Sequence, residues 1–148
     1  NCLLTDEERP GILGGIGVRL GSPSYADHVR FGWATRNEQI EEVDLVGHAW
    51  FFKKEYMKHM WNIEPLTYDT GEDIHLSFTA QKFANIKTYV PAQSESDPES
   101  TSSKKGYELG VDAVASSHPA NHGVFYPLRD QVISHCIKNG WNPIFTRR

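Results

Sequence analysis

The sequence predicts an α/β fold, a mixed sheet with helices packed on it, and three observations carry that expectation. Short apolar runs bounded by Gly or Pro, at 11–20, 43–46 and 86–90, read as strands. Segments with apolar residues three and four apart, at 51–61, from 72 onward and at 127–139, read as helices. The helix starting near Glu72 is apolar on two sides, so it belongs between layers rather than on a surface. The chain has 148 residues, enough for one domain with a real core.

In chain order, Gly11 to Leu20 (GILGGIGVRL) is rich in glycine. It has no Gly-Lys-Ser/Thr, and Gly15, Gly17 and Gly21 miss the dinucleotide spacing by one residue. A strand or buried loop with close backbone approach is the expectation. Residues 22–41 read as a polar loop with one short strand near 28–33, and 43–46 as a buried strand ending at Gly47. In 51–61, Phe52, Tyr56 and Met60 fall at i, i+4 and i+8 with Met57 and Trp61 beside them, while Lys54, Glu55, Lys58 and His59 take the other side. That is an amphipathic helix facing a core. After a loop at 65–69, Thr70 is a fitting N-cap, and Glu72 and Asp73 suit the first turn of a helix. In that helix Ile74 and Phe78 face one way, and Leu76, Ala80 and Phe83 another. A strand at 86–90 stops at Pro91. Residues 93–105 (QSESDPESTSSKK) are expected to be a flexible Ser/Glu-rich loop. Residues 111–115 are short and apolar, and 118–123 are turn chemistry. The last helix carries Leu128, Val132 and Cys136 beside Ile133 and Ile137, with Pro127 at its start and Gly140 just past its end.

Charge and composition exclude several function classes. Fifteen Lys and Arg against nineteen Asp and Glu leave a net charge of −4. A protein that tracks nucleic-acid phosphates through excess positive charge is excluded. Apolar content of 39% with four Trp, six Tyr and seven Phe excludes disorder for most of the chain. No apolar run approaches the roughly 20 residues that cross a bilayer, so no membrane segment is expected. No charged-then-apolar leader opens the sequence, so any targeting segment is expected to be absent or cut away. Cys2 and Cys136 fit either one bridge in an oxidising lumen or two buried thiols. The secretory-pathway lumen (Golgi or ER) and the cytoplasm both stay open.

The block 43–90 carries the chemistry. A strand ends at Gly47, aromatic residues follow, and an acidic pair opens a buried helix. Glu72 and Asp73 are thereby placed at the lip of a pocket beside Trp50 and Phe51. Carboxylates in that position can take a proton from a hydroxyl nucleophile and hydrogen-bond a sugar. The alternative is that both merely cap the helix and face water.

With VDLVG at 43–47, AWFF at 49–52, Gly71-Glu72-Asp73 and KTYVP at 87–91 in this order, the block resembles the acceptor half of a GT-A nucleotide-sugar glycosyltransferase. It is close to the inverting family-2 pattern, and exostosin-type transferases have a similar Glu-Asp helix. The resemblance covers about residues 12–91 well and the remainder loosely. It implies the C-terminal half of a GT-A (nucleotide-diphospho-sugar transferase) fold. It also implies a hexosyltransferase-like enzyme moving a sugar from a nucleotide-diphosphate donor to a glycan or other hydroxyl acceptor, with inversion. Asp73 would be the catalytic base and Glu72 its neighbour contacting acceptor or donor. Gly47, His48 and Trp50 would line the acceptor and donor-sugar pocket.

Two departures from the family pattern are visible. His48 stands where the family has a second small residue. The Asp-x-Asp that holds Mn²⁺ or Mg²⁺ and the nucleotide diphosphate does not occur in the 148 residues. Glu95, Asp97 and Asp69 lack the preceding apolar strand. The resemblance therefore implies a partner, an N-terminal chain of the same transferase carrying the nucleotide-binding strands. His118 and His122 are the metal-ligand candidates, since imidazole suits Mn²⁺ or Zn²⁺. Pro119 sets them in a loop, where the alternative is a solvent-facing turn. Arg129 could pair with phosphate or lie exposed at a helix start. His28, His59, His75 and His135 read as surface or core residues. The competing function is a non-catalytic module that binds a glycan or a protein through the surface between Trp50 and Trp61.

Overall fold

Ten residues of nearly continuous apolar character, Gly11–Leu20, form the central strand β1 of the computed structural model, which describes residues 11–33, 36–93, 96, 112 and 114–147. Around it lie β2 (His28–Phe31), β3 (Glu41–Val43), β4 (Leu45–Phe51) and β5 (Lys87–Val90). β1 runs antiparallel to β2 and β4 and parallel to β5, while β3 pairs antiparallel with β5. β4 opposes β1 from Leu13 to Val18 and so overlaps the stretches paired with β5 and with β2. A strand has two edges, so β4 takes one and β5 and β2 share the other. The result is a mixed sheet with flanking helices, as the pattern of apolar runs predicts.

Glycine in β1 serves packing. A Cβ on Gly14 would lie 2.4 Å from the Val46 Cβ, and one on Gly17 would lie 2.5 Å from the Val90 Cγ2. Only hydrogen fits between these strands.

Two boundaries near β4 differ from the sequence expectation. The strand does not end at Gly47 but continues to Phe51, because β1 supplies a ladder partner as far as Leu13 opposite Phe51. The helix expected over 51–61 is a 3₁₀ helix at Lys54–Trp61, with no fully buried residue. Only part of the anticipated stripe faces the core. Phe52, Tyr56 and Met60 pack half-buried against the core, and Met57 and Trp61 stay exposed.

Helix α1 (Glu72–Ala84) is buried on every side from Ile74 to Ala80. Ile74 and Phe78 pack with Val18, Leu45 and Val132, whereas Leu76 and Ala80 pack with Ile12, Val43 and Val90. The two-sided apolar pattern thus places α1 between two halves of the core. Phe83 departs from it: it is 41% exposed, with the Lys82 ammonium over its ring. The N-cap is Gly71 rather than Thr70. Its φ of 88° is left-handed, and Val132 lies 3.0 Å from where a Cβ would sit. At the other end Asn85 is left-handed, and the Ile86 N–H returns to the Ala80 carbonyl at 3.2 Å, closing the helix.

Helix α2 spans His122–Lys138 and starts five residues before Pro127, which had marked its expected first position. The missing Pro127 N–H leaves the Gly123 carbonyl without an intrahelical partner. Both residues are exposed, so water can satisfy it. Gly140, with φ 94°, follows the helix end as anticipated. Cys136 is fully buried, and burial pushes its thiol up to about 12, which makes it unreactive. Cys2 lies outside the described residues, as do Glu95, Asp97 and nearly all of 93–105. Among the described residues no helix is long and apolar enough to cross a membrane.

Candidate functional site

A cleft of about 660 Å³ opens between β4, the N-terminal turn of α1 and the first turns of α2. β4 contributes Gly47, His48 and Trp50, α1 contributes Glu72 and Asp73, and α2 contributes His122 and Arg129. Seven of the eight residues singled out from the sequence therefore line one cavity, and His118 is the exception.

The β4 wall is shaped by a bulge. Gly47 pairs with Ile16 and Trp50 with Gly14, so His48 and Ala49 together stand opposite Gly15 alone. Both adopt left-handed backbone, with φ 57° and 64°, which costs non-glycine residues about 1–3 kcal/mol each. A bulge re-aims side chains beside a site, and here it sets the His48 ring edge-on to Trp33 at 5.4 Å. The Arg30 guanidinium lies 5.4 Å over the other ring of this contact, Trp33.

Burial, helped by Arg30, pushes the His48 pKa below its ordinary value. The unfolded chain then binds the proton more readily than the folded one. His48 contributes stability that is full above the ordinary histidine range and is lost as pH falls through its lowered value. His48→Gln is accordingly expected to flatten the fall in melting temperature between about pH 7 and pH 5. His28 and His59 shift the same way, so part of the slope should persist in that variant. An unchanged slope would assign the acid sensitivity elsewhere.

On the opposite wall, Asp73 and Arg129 form a buried ion pair. The Arg129 Nη2 donates to the Asp73 Oδ2 at 2.7 Å, with side chains 5% and 12% exposed. The Asp73 Oδ1 accepts the Ile74 N–H at 2.9 Å, and Arg129 Nη1 reaches the Thr70 hydroxyl at 3.5 Å. The guanidinium stacks 4.1 Å from the Tyr25 ring centre and 5.2 Å from that of Phe125. Burial would lower the Arg129 pKa, but Asp73, then Tyr25, outweighs it and holds the group firmly charged. Burial likewise raises the Tyr25 phenol. Arg129 is thus neither exposed nor a free phosphate ligand; its charge is committed to Asp73. Glu72, one residue earlier, is exposed in the cleft and has no hydrogen bond or ion pair among the described residues.

The two candidate metal ligands do not act together. The His118 Nδ1 accepts the Ala120 N–H at 3.2 Å and caps a short 3₁₀ turn, outside the cleft lining. His122 lines the cleft, stacks on Tyr126 at 4.6 Å and places Nε2 3.1 Å from the Ser117 carbonyl. Among the described residues, no three side chains of His, Cys, Asp or Glu converge as a metal would require. His118 and His122, as the described residues place them, do not fit a Mn²⁺ or Mg²⁺ site, since hard cations take several carboxylate oxygens.

His75 is a core residue, with Nε2 held by the Met60 and Ile63 carbonyls at 2.9 and 3.1 Å. Sequence reasoning missed Tyr25, Arg30, Trp33 and Tyr126, all of which line the cleft. The cluster of Arg30, Phe31 and Trp33 at the end of β2 was the one local signal for them. No protein-family model, no curated protein and no solved structure matches the chain.

Proposed function

We propose that the chain is the acceptor-side part of a GT-A nucleotide-sugar glycosyltransferase, moving a sugar to a hydroxyl acceptor with inversion. The observation that supports it most is the cleft itself. Carboxylates at the first turn of a buried helix share one cavity with Gly47 and Trp50, residues of the segments that carry the family resemblance. In this mechanism the acceptor oxygen attacks the anomeric carbon while the bond to the diphosphate oxygen breaks. The nucleoside diphosphate leaves with that electron pair, and Asp73 takes the hydroxyl proton. Arg129 orients Asp73, as the third member of a nucleophile–base–orienter set does. Glu72 is free to hold an acceptor hydroxyl. The strands that bind the nucleotide, and carboxylates able to hold Mn²⁺ or Mg²⁺, would come from the N-terminal chain or segment of the same transferase.

A second reading, a non-catalytic glycan- or protein-binding module, has its own support. Asp73 is engaged through both oxygens, as in a purely structural ion pair. Native material separates the two. Purified from its source, the chain is expected to co-elute with a nucleotide-binding partner on size exclusion and to transfer label from a radiolabelled uridine- or guanosine-diphosphate sugar. A partner-free 16.8 kDa species that neither transfers nor hydrolyses any such donor would overturn the transferase.

A further inference from the structure

Exposed large apolar side chains gather on one stretch beside the cleft. Trp61 is 61% exposed, Leu66 44% and Tyr68 74%. With Met60 they surround a shallow depression of about 70 Å³, which shares Thr70 and Glu72 with the main cleft. That volume is too small to enclose a ligand, so whatever binds there lies across the aromatic rims. The chain segment that forms the depression is acidic. Residues 62–73 hold Glu64, Asp69, Glu72 and Asp73 and no Lys or Arg. The Tyr68 hydroxyl donates to Glu64, and the Thr67 hydroxyl donates to Asp69 at 3.3 Å. The first of these bonds holds the Tyr68 ring in place before any ligand arrives, which reduces the ordering cost of binding.

We propose that the Trp61–Leu66–Tyr68 surface binds an oligosaccharide, the sugar units of the acceptor that lie beyond the unit at Glu72. This rests on the transferase reading for its direction into the cleft. A pyranose ring presents weakly positive C–H bonds on one face and hydroxyls around its edge. Aromatic faces carry the complementary negative potential, and carboxylates accept the hydroxyl hydrogens. The acidic residues of 62–73 repel phosphate and anionic lipid, and the one cation against them among the described residues, Arg129, is committed to Asp73, which favours a neutral polyhydroxyl ligand.

The experiment follows heat release by titration calorimetry while the full chain is titrated with cellotetraose, maltotetraose, mannotetraose and xylotetraose, and with the parent monosaccharides. At least one tetrasaccharide is expected to bind about tenfold or more tighter than its monosaccharide. Trp61→Ala should abolish most of that gain, and Phe83→Ala, at an exposed aromatic away from the surface, should leave it intact. Trp61 is exposed, so the variant should keep its melting temperature, and Tyr68→Ala provides a second, independent loss. Failure of every saccharide to bind, or binding indifferent to both variants, overturns the proposal. A dimer dissolved by Trp61→Ala, or sedimentation with phosphatidylcholine vesicles lost in that variant, would give the surface another occupant and also overturn it. The transferase stands or falls separately. Trp61-dependent binding without sugar transfer keeps the surface and removes the enzyme. Transfer indifferent to acceptor length and to Trp61→Ala does the reverse.

Discussion

Asp73→Asn is expected to lose turnover by roughly 10²–10⁴-fold in the complete enzyme and, at the same time, about 3–5 kcal/mol of stability. The first effect follows from its proposed role as base, the second from its geometry. Arg129 is 5% exposed and its charge is balanced by Asp73 at 2.7 Å. An amide in place of the carboxylate leaves that buried cation uncompensated. From sequence, Asp73 sits at a helix lip beside a pocket, where the same substitution would leave folding intact; the ion pair removes that expectation. Loss of activity alone therefore decides nothing, and the double variant Asp73→Asn with Arg129→Met does. It removes both charges, so most of the stability should return. Turnover should stay low if Asp73 takes the proton. Recovery of turnover together with stability would make the pair structural and remove Asp73 as base. Thermal unfolding and initial rates, measured where all variants are folded, are the two readouts.

Asp44→Ala is expected to cost about 2–6 kcal/mol, from two backbone donors losing a buried acceptor at about 1–3 kcal/mol each. Asp44 lies between β3 and β4 and is 3% exposed. Its Oδ2 accepts the Leu20 N–H at 2.8 Å and its Oδ1 the Ile144 N–H at 2.6 Å. One carboxylate thereby ties the end of β1 to the C-terminal segment and holds the start of β4, the strand whose bulge forms the cleft wall. Asp44→Asn keeps one acceptor oxygen and should cost about half as much. Burial raises the Asp44 pKa despite these two bonds, so the folded state binds its proton more readily than the unfolded one. Its contribution is therefore largest below the ordinary aspartate range and declines as pH rises through the raised value. Denaturant unfolding of the three proteins at neutral pH checks the order Asp44, Asn, Ala. Equal stability of the alanine variant and the natural chain would remove the pin.

Local pattern was enough to establish much of this molecule. The strands at 11–20 and 87–90 and the two-sided burial of α1 follow from apolar spacing, because burying an apolar face dominates the energetics of any segment long enough to have one. Gly140 beyond α2 was legible because helix ends have a residue-specific backbone requirement. So was the gathering of Glu72, Asp73 and the β4 residues, through the order of short motifs along the chain. Boundaries were not. Helical spacing in 51–61 hides the fact that β1 offers Trp50 and Phe51 a ladder partner, and hydrogen bonding to a distant strand overrides local periodicity. Pro127 looks like a first helical residue because nothing local records that the turn before it can lose its bond to water. Above all, the charge state of the cleft depended on tertiary structure. Arg129 and Asp73 are 56 residues apart in the chain. Only packing of α2 against α1 removes them from water, and removal from water turns two ordinary surface charges into a committed pair, while Glu72 stays unpaired among the described residues.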